Sequence, residues 1–285
     1  MKIEGIVFEN EVVVEEKTLK EGGVSVQVEE LFNSTTTPDD YKVWVFSVKQ
    51  ENVPNWFDAE DSEKRFRHAI GAWWTKHVLE GKEIEELNSG LYRLEKCRVK
   101  RLCGDVRAIL YDTKIEEMHD NARIIEMGGD AHIETMCDNS KIDDMSDDTT
   151  VGCMMDYSCV EYASEFVVVS EMHENAYIKW LDDYAKVKFM HDNACVGSMN
   201  DDSNVEFMSD NSCIRIMKGK SYVHTVYDGK INEMQDHASV MNFAGEINCI
   251  GKIKDCAIVR AGRLRDNKKM KILTSESAEI DVITK

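Results

Sequence analysis

Acidic side chains recur every nine residues through the middle of the 285-residue chain. The series is Asp120, Asp138, Asp147, Asp156, Glu165, Glu174, Asp183, Asp192, Asp201 and Asp210, with Gly129 as the interruption. Aspartate is a common turn residue because its side chain bonds the nearby backbone. A regular array of carboxylates also attracts a cationic partner. Both interpretations remain open. If the acids attract a cationic partner, all of them except Glu165 are the candidate binding residues.

A row of possible soft metal ligands recurs at twice that period, every eighteen residues: His119, Cys137, Met155, His173 and His191. His173 and His191 are the candidates for one ion, with help from Glu174 or Asp192. None of them has the short spacing of a closed metal site, so we expect neither a metal nor a cofactor. The sequence also lacks a nucleophile elbow, a phosphate-binding loop and paired metalloprotease histidines. We assign no catalytic residue and expect a non-enzymatic protein.

Apolar residues repeat with the same nine-residue period as the acids. Ile or Val stands at 115, 124, 133, 142, 151, 160, 169, 178, 187, 196, 205, 214 and 223, and Met follows three positions later in most units. A fixed period with apolar residues in register is typical of a solenoid, in which stacked units bury a shared core.

The residue after each acid reveals a longer period. Asn121, Asn139, Tyr157, Asn175, Asn193 and Asn211 alternate with Asp130, Asp148, Phe166, Tyr184, Asp202 and Lys220. Asparagine occurs in one series only, which predicts two nonapeptides, or about 18 residues, per coil. The expected fold is mainly β: a parallel β-solenoid over residues 91–262, a small α+β domain over 1–90 and a short cap over 263–285.

The N-terminal region contains strand-like segments and one helix. The strands are expected at Ile3–Phe8, Glu11–Glu15, Val24–Val28 and Lys42–Val48, with Thr37–Asp40 as a turn. The helix is expected to begin after Asp58, to end at Gly81 and to cover the open end of the solenoid. Its Trp73 and Trp74 are secondary binding candidates. Arg98, Lys100 and Arg101 form a basic first coil, which is either a solvated face or an anion site.

Charge and composition limit the partners. The net charge is −19, and residues 112–229 hold 25 Asp and Glu against 9 Lys and Arg. This surface disfavours direct nucleic-acid binding and favours a basic protein. We find no export leader and no apolar run near twenty residues, so no membrane association is expected. Nine cysteines without a leader are typical of free thiols in a reducing cytoplasm.

A resemblance follows from particular motifs. Asn55-Trp56-Phe57-Asp58, Trp73-Trp74 and runs such as His119-Asp120-Asn121-Ala122 are similar to those of bacteriophage and prophage proteins with degenerate Asp-Asn-Ala-x-Ile repeats. The likeness covers residues 55–230. More loosely, the chain resembles pentapeptide-repeat proteins, whose acidic β-solenoids can imitate duplex DNA. It departs from them in having nine residues per repeat.

The resemblance implies a phage-type protein in the host cytoplasm that acts as a DNA mimic, with inhibition of a DNA-binding host defence protein as its expected role. One alternative is a structural component of a phage particle, with homo-oligomerisation through the N-terminal domain or the solenoid ends. A second alternative is an enzyme seated in the N-terminal domain. The partner itself is not encoded in any motif.

Overall fold

The computed structural model describes residues 2–14, 18–29, 45–243, 250–261, 273–274 and 280–282. The chain divides into two compact units, Met1–Val78 and Leu79–Lys285. Strands β5 (Val78–Glu80) and β6 (Glu83–Leu87) already belong to the solenoid sheets. The solenoid therefore begins one coil before the predicted residue 91, because these short strands lack the strict repeat and are hard to recognise in the sequence.

The first unit contains a four-stranded antiparallel sheet. Its strands are β1 (Lys2–Val7), β2 (Val12–Val14), β3 (Val24–Glu29) and β4 (Val45–Val48), in the order β2-β1-β3-β4. The predicted small sheet is confirmed. Residues 15 and 42–44 and the predicted turn at 37–40 lie outside the described residues.

Helix α1 (Ala59–His77) contributes the rest of this unit's core. Asp58 caps it, since the Asp58 side chain accepts a hydrogen bond of 2.8 Å from the Asp61 backbone N–H. Phe66 and Ile70 are fully buried. A Cβ atom at Gly5 would lie 2.6 Å from the Phe66 ring, so glycine lets α1 approach β1 closely. The helix ends four residues before the predicted Gly81 because the chain enters β5.

The second unit is a parallel β-solenoid with two twelve-stranded sheets. The odd sheet contains β5, β7 (Leu91–Glu95), β9 (Arg107–Tyr111), β11 (Arg123–Gly128), β13 (Lys141–Met145), β15 (Cys159–Ala163), β17 (Tyr177–Leu181), β19 (Cys195–Met199), β21 (Cys213–Met217), β23 (Lys230–Met234), β25 (Ile250–Ile253) and β27 (Leu273–Thr274). The even sheet contains β6, β8 (Arg98–Leu102), β10 (Lys114–Met118), β12 (His132–Met136), β14 (Thr150–Met154), β16 (Val168–Met172), β18 (Lys186–Met190), β20 (Asn204–Met208), β22 (Tyr222–Val226), β24 (Ser239–Phe243), β26 (Ile258–Ala261) and β28 (Ile280–Val282).

From β10 to β22 each strand pairs with the strand eighteen residues away, which confirms the predicted coil. The first and last coils are offset by other lengths, such as fifteen residues between β6 and β8. Ile115 pairs with Ile133 and Met118 with Met136, while the residue after each Ile stays out of the paired register. This break in alternation lets both apolar side chains point inward, and the repeated Ile, Val and Met residues are buried. Twelve strands at about 4.8 Å spacing extend for roughly 50 Å.

The C-terminal region differs in part from the predicted cap. Strands β27 and β28 pair in parallel with β25 and β26 and so continue the two sheets. The remainder of 263–285 lies outside the described residues, as does Cys249. No helix among the described residues combines the length and the apolar composition needed to cross a bilayer.

Candidate interaction surface

The acidic repeat residues hold the turns between strands in an unusual backbone conformation. Asp120, Asp138 and Glu174 have φ values of 56°, 55° and 54°, and the other acids of the series are similar. Positive φ is costly for a residue with a side chain and is tolerated best by Asp, Asn and Gly. The left-handed residue is therefore the acid itself, and the following Asn keeps a negative φ. Most of these turns close through a backbone bond such as Ala122 N–H to His119 O, 3.1 Å.

Turns that follow even-sheet strands form the first column, which consists of Gly104, Asp120, Asp138, Asp156, Glu174, Asp192 and Asp210. Each carboxylate accepts a hydrogen bond from the backbone N–H of the column residue one coil earlier, at 2.9 to 3.5 Å. The acids therefore link successive turns as well as form them.

Turns that follow odd-sheet strands form the second column, which consists of Asp112, Gly129, Asp147, Glu165, Asp183, Asp201, Gly219, Asp236 and Asp255. The same bonds join Asp147 to Gly129 N–H at 2.7 Å and Glu165 to Asp147 N–H at 3.0 Å. Gly129, the exception in the repeat, has the same left-handed backbone with a φ of 64°, and a Cβ there would press on the Asp112 carboxylate at 2.3 Å. In both columns, therefore, the acids form the turns and bond the backbone of the preceding coil.

The columns nevertheless remain charged surfaces. All predicted column acids are exposed except Asp156, which is half-buried. One carboxylate oxygen of each linked acid is bonded to the backbone, and its second oxygen is left for a partner or for water. Because neighbours in a column are one coil apart, about 4.8 Å, the carboxylates form unbroken runs from Asp120 to Asp210 in the first column and from Asp147 to Asp201 in the second.

Exposed aromatic side chains lie beside the second column in two adjacent coils, directly after Glu165 and Asp183. Phe166 and Tyr184, 59% and 58% exposed, stack with ring centroids 5.5 Å apart and planes 7° apart. Tyr162 and Trp180, which pair in register on β15 and β17, are 38% and 42% exposed. We call these four residues the aromatic cluster. Exposed aromatic patches are typical of contact sites in proteins.

Carboxylates surround the aromatic cluster. Asp182 bonds the Tyr162 hydroxyl, and this bond with partial burial raises the pKa of Tyr162 to about 12. Asp182 also accepts a hydrogen bond from the Asn200 amide.

The four residues of the aromatic cluster were not among the candidates predicted from the sequence. Phe166 and Tyr184 occupy turn positions where the other coils of the strict repeat have Asp or Lys, and this departure is the signal that was available.

The secondary candidates lie elsewhere. Trp73 of α1 is buried and packs against His77 with ring centroids 4.5 Å apart and planes tilted by 48°, whereas Trp74 is half-exposed. The indole of Trp74 is therefore the more accessible of the two. Participation of either residue in binding stays a prediction.

Basic residues of the first coil are exposed on β8. Lys100 pairs with Glu85 at 3.2 Å and Arg101 with Glu86 at 2.9 Å, both on β6. Arg98 is exposed on the same strand. Paired charges of this kind favour a solvated strand face over an anion site, because the positive charge is already compensated.

The predicted metal candidates do lie in adjacent coils. The rings of His173 and His191 stack with centroids 5.0 Å apart. The groups that converge on His173 are Cys153 and Glu171, whose ligand atoms and its own lie within 4.8 Å of one another. Glu174, the predicted helper, instead bonds the backbone of Asp156. Asp192 Oδ2 lies 3.7 Å from His173 Nδ1.

Two thiols pair across β19 and β21, where Cys195 is in register with Cys213. A hydrogen bond from the Cys195 thiol, assisted by Arg215 and Lys230, lowers the pKa of Cys213 to about 7. The same bond raises the pKa of Cys195. Of the two thiols, Cys213 is the one whose pKa is lowered, and it is therefore the more acidic member of the pair.

A cleft of about 430 Å³ lies within the first unit between β2 and α1. Its lining includes Glu11, Lys64, Arg65 and His68. Arg65 donates to the backbone carbonyl oxygens of Phe8 and Glu11, at 2.8 and 3.3 Å, and so ties the helix to the sheet. This use of the guanidinium indicates a structural role for it.

Comparison of the chain with protein-family models, curated proteins and solved structures gave no match. The repeat architecture is therefore established by the strand pairing alone. The resemblance to phage repeat proteins stays a prediction.

Proposed function

We propose that the chain is a non-enzymatic binding protein whose solenoid engages a basic surface of another protein. The partner lies along the second column, with the aromatic cluster at the centre of the contact. The single observation that carries this proposal is the stacked, exposed Phe166–Tyr184 pair inside a continuous line of carboxylates.

Charge and aromatic surface have complementary roles in such a contact. Carboxylates steer a cationic partner and speed association. Aromatic side chains provide large apolar contacts, and arginine or lysine side chains stack on their faces. Both properties match a protein surface rich in Arg and Lys and do not match a polyanion such as DNA.

The resemblance to phage proteins narrows the class of partner. A host protein that normally binds DNA presents a basic groove, and two acidic columns imitate the charge of a duplex in sign and linear order. An anti-defence inhibitor in the host cytoplasm is the biological role that follows. The described cysteines are free thiols, which agrees with a reducing compartment.

Two matched variants test the proposal. The first carries Asp147→Asn, Glu165→Gln, Asp183→Asn and Asp201→Asn in the second column. The other carries Asp156→Asn, Glu174→Gln, Asp192→Asn and Asp210→Asn in the first column. Each removes four negative charges and keeps a side-chain acceptor for the backbone bond.

Both variants should melt near the parent temperature. In affinity capture from a bacterial lysate, quantified by mass spectrometry, the second-column variant should lose the partner by roughly tenfold or more, and the first-column variant by much less. Equal losses would mean that net charge alone attracts the partner. Full retention by both would contradict the proposal and favour a structural rod, whose long sides make no contact.

A further inference from the structure

Three potential metal ligands meet on the outer face of the even sheet. Cys153 on β14 pairs in register with Glu171 on β16, and His173 follows Glu171 by two residues. The Cys153 sulfur, a Glu171 oxygen and a His173 ring nitrogen lie within 4.8 Å of one another. Thiolate, imidazole and carboxylate together are the ligand types of zinc sites.

The orientation of the His173 ring suits a ligand. Its Nε2 lies 3.1 Å from Glu171 Oε2, so this nitrogen faces the cluster. Its Nδ1 lies 3.7 Å from Asp192 Oδ2 on the other side. A carboxylate behind a metal-binding histidine fixes the ring and raises its basicity, and this arrangement is frequent around zinc.

Another coil of the solenoid provides an internal comparison. His119 has the same surroundings, with Nε2 3.3 Å from Glu117 and Nδ1 3.8 Å from Asp138. The strand position that Cys153 occupies beside Glu171 is filled there by Arg101, whose Nε lies 3.8 Å from Glu117. The guanidinium already neutralises that carboxylate and offers no ligand atom, because arginine is a donor only.

The coil that follows His173 lacks the three-ligand set for a different reason. His191 follows Phe189 instead of a carboxylate, and its Nδ1 lies 2.8 Å from Ser209 Oγ. The repeat thus produces a row of similar histidines. Among the three histidines of this row, His173 is the one with both a carboxylate and a thiol within ligand reach.

We propose that Cys153, Glu171 and His173 form a zinc-type site on the solenoid surface. Three protein ligands leave the fourth tetrahedral position open to water or to a group from a partner. Binding releases the thiol proton of Cys153, because the thiolate is the ligand form. The site spans two coils and is independent of the acidic-column contact proposed above.

Cobalt titration of the full-length, reduced protein tests this site. Co²⁺ takes zinc-type sites, and a thiolate ligand gives a charge-transfer absorption in the near ultraviolet. We expect one saturable equivalent with this absorption, and its loss when Zn²⁺ is added. Cys153→Ser should abolish the band, and His173→Ala and Glu171→Gln should weaken binding by about tenfold or more. His119→Ala is the matched control and should bind as the parent does.

All three side chains lie on the outer face and not in the core, so each variant should fold. Circular dichroism checks this. A second readout is the melting temperature, which Zn²⁺ should raise in the parent and not in Cys153→Ser. Absence of the charge-transfer band from the parent would overturn the site. A band of unchanged strength in Cys153→Ser, or an equal loss in His119→Ala, would overturn it as well.

Discussion

At the scale of single residues, Glu161 shows how charges are paired across coils of the odd sheet. Its carboxylate oxygens lie 2.6 Å from Lys141 Nζ and 2.7 Å from Lys179 Nζ, one coil on each side. Hydrogen bonds from Lys141 and Lys179 lower the pKa of Glu161 to about 2. The three side chains form an ion-paired row that crosses β13, β15 and β17.

This row predicts a pH-dependent contribution to stability. The folded pKa lies below the unfolded value of about 4.3, so the contribution is complete above that value and is lost as pH falls toward 2. Glu161→Gln should lower the free energy of unfolding by roughly 0.5–1 kcal/mol at pH 7, a modest amount because the row is solvated. Urea denaturation at pH 7 and at lower pH measures the difference, which should shrink on acidification.

A background with Lys141→Met and Lys179→Met provides the control for this prediction. In that background Glu161→Gln should have little effect, because its partners are absent. An undiminished effect at low pH would contradict the pairing.

At the scale of an element, strand β18 and the turn after it allow the contribution of core packing to stability to be compared with that of a turn residue. Val187 lies in the middle of β18, is fully buried and pairs with Val169 and Val205. Asn193 is an exposed turn residue after β18. The first position contributes to the core shared by all coils, whereas the second contributes only to its own turn.

Val187→Asp should therefore reduce the free energy of unfolding by at least about 3 kcal/mol, because a charge without a partner enters an apolar core. Asn193→Ala should cost about 0.5 kcal/mol or less, as is usual for exposed positions. Thermal melts of the two variants measure the contrast. Equal losses of melting temperature would mean that the wrong side chains have been assigned to the inward face.

Elements of the strict repeat were predictable from the sequence, since the Ile, Val and Met periods fix which side chains face inward. The paired register of Ile115, Ile133 and Val151 follows directly from that spacing. The first coil was missed because Ile84 and Leu87 lie fifteen residues, not eighteen, before Val99 and Leu102. A shortened turn removes the period while leaving the pairing intact.

The candidate surface was only partly predictable. The acidic columns follow from the repeat, but their bonds to the backbone one coil away depend on φ values and side-chain reach, which spacing does not encode. Cys153 and Glu171 escaped attention because they occupy a different repeat position from His173. Their eighteen-residue spacing nevertheless places Cys153 beside Glu171, and Glu171 and His173 flank the buried Met172, so the repeat itself encoded this proximity.

At the scale of the whole molecule, the two columns make association with a basic partner sensitive to salt. Charges on an exposed surface are screened beyond about 8–10 Å at moderate ionic strength. Binding of the captured partner, measured by biolayer interferometry, should weaken steeply as NaCl is added, chiefly through slower association. A neutral osmolyte at matched osmolality should have little effect.

Replacement of Asp183, Asp192, Asp201 and Asp210 together with Asn removes two charges from each column while retaining acceptors for the turns. This variant should have a similar melting temperature, slower association and a shallower dependence on salt. If it associates as fast as the parent at physiological salt, the columns do not steer the partner, and Trp74 and the basic first coil become the next surfaces to test.

The direction of the carboxylate bonds bears on how the chain is made. In the first column each acid reaches back to a backbone N–H of the coil that was synthesised before it. The backbone N–H of a newly synthesised turn therefore gains its carboxylate acceptor only after the next eighteen residues have been added. In the coils synthesised earlier this hydrogen bond is already formed. Growth on the ribosome would thus proceed as a templated addition, and a stalled chain would leave the backbone N–H of its last turn without the carboxylate that completes its hydrogen bonding.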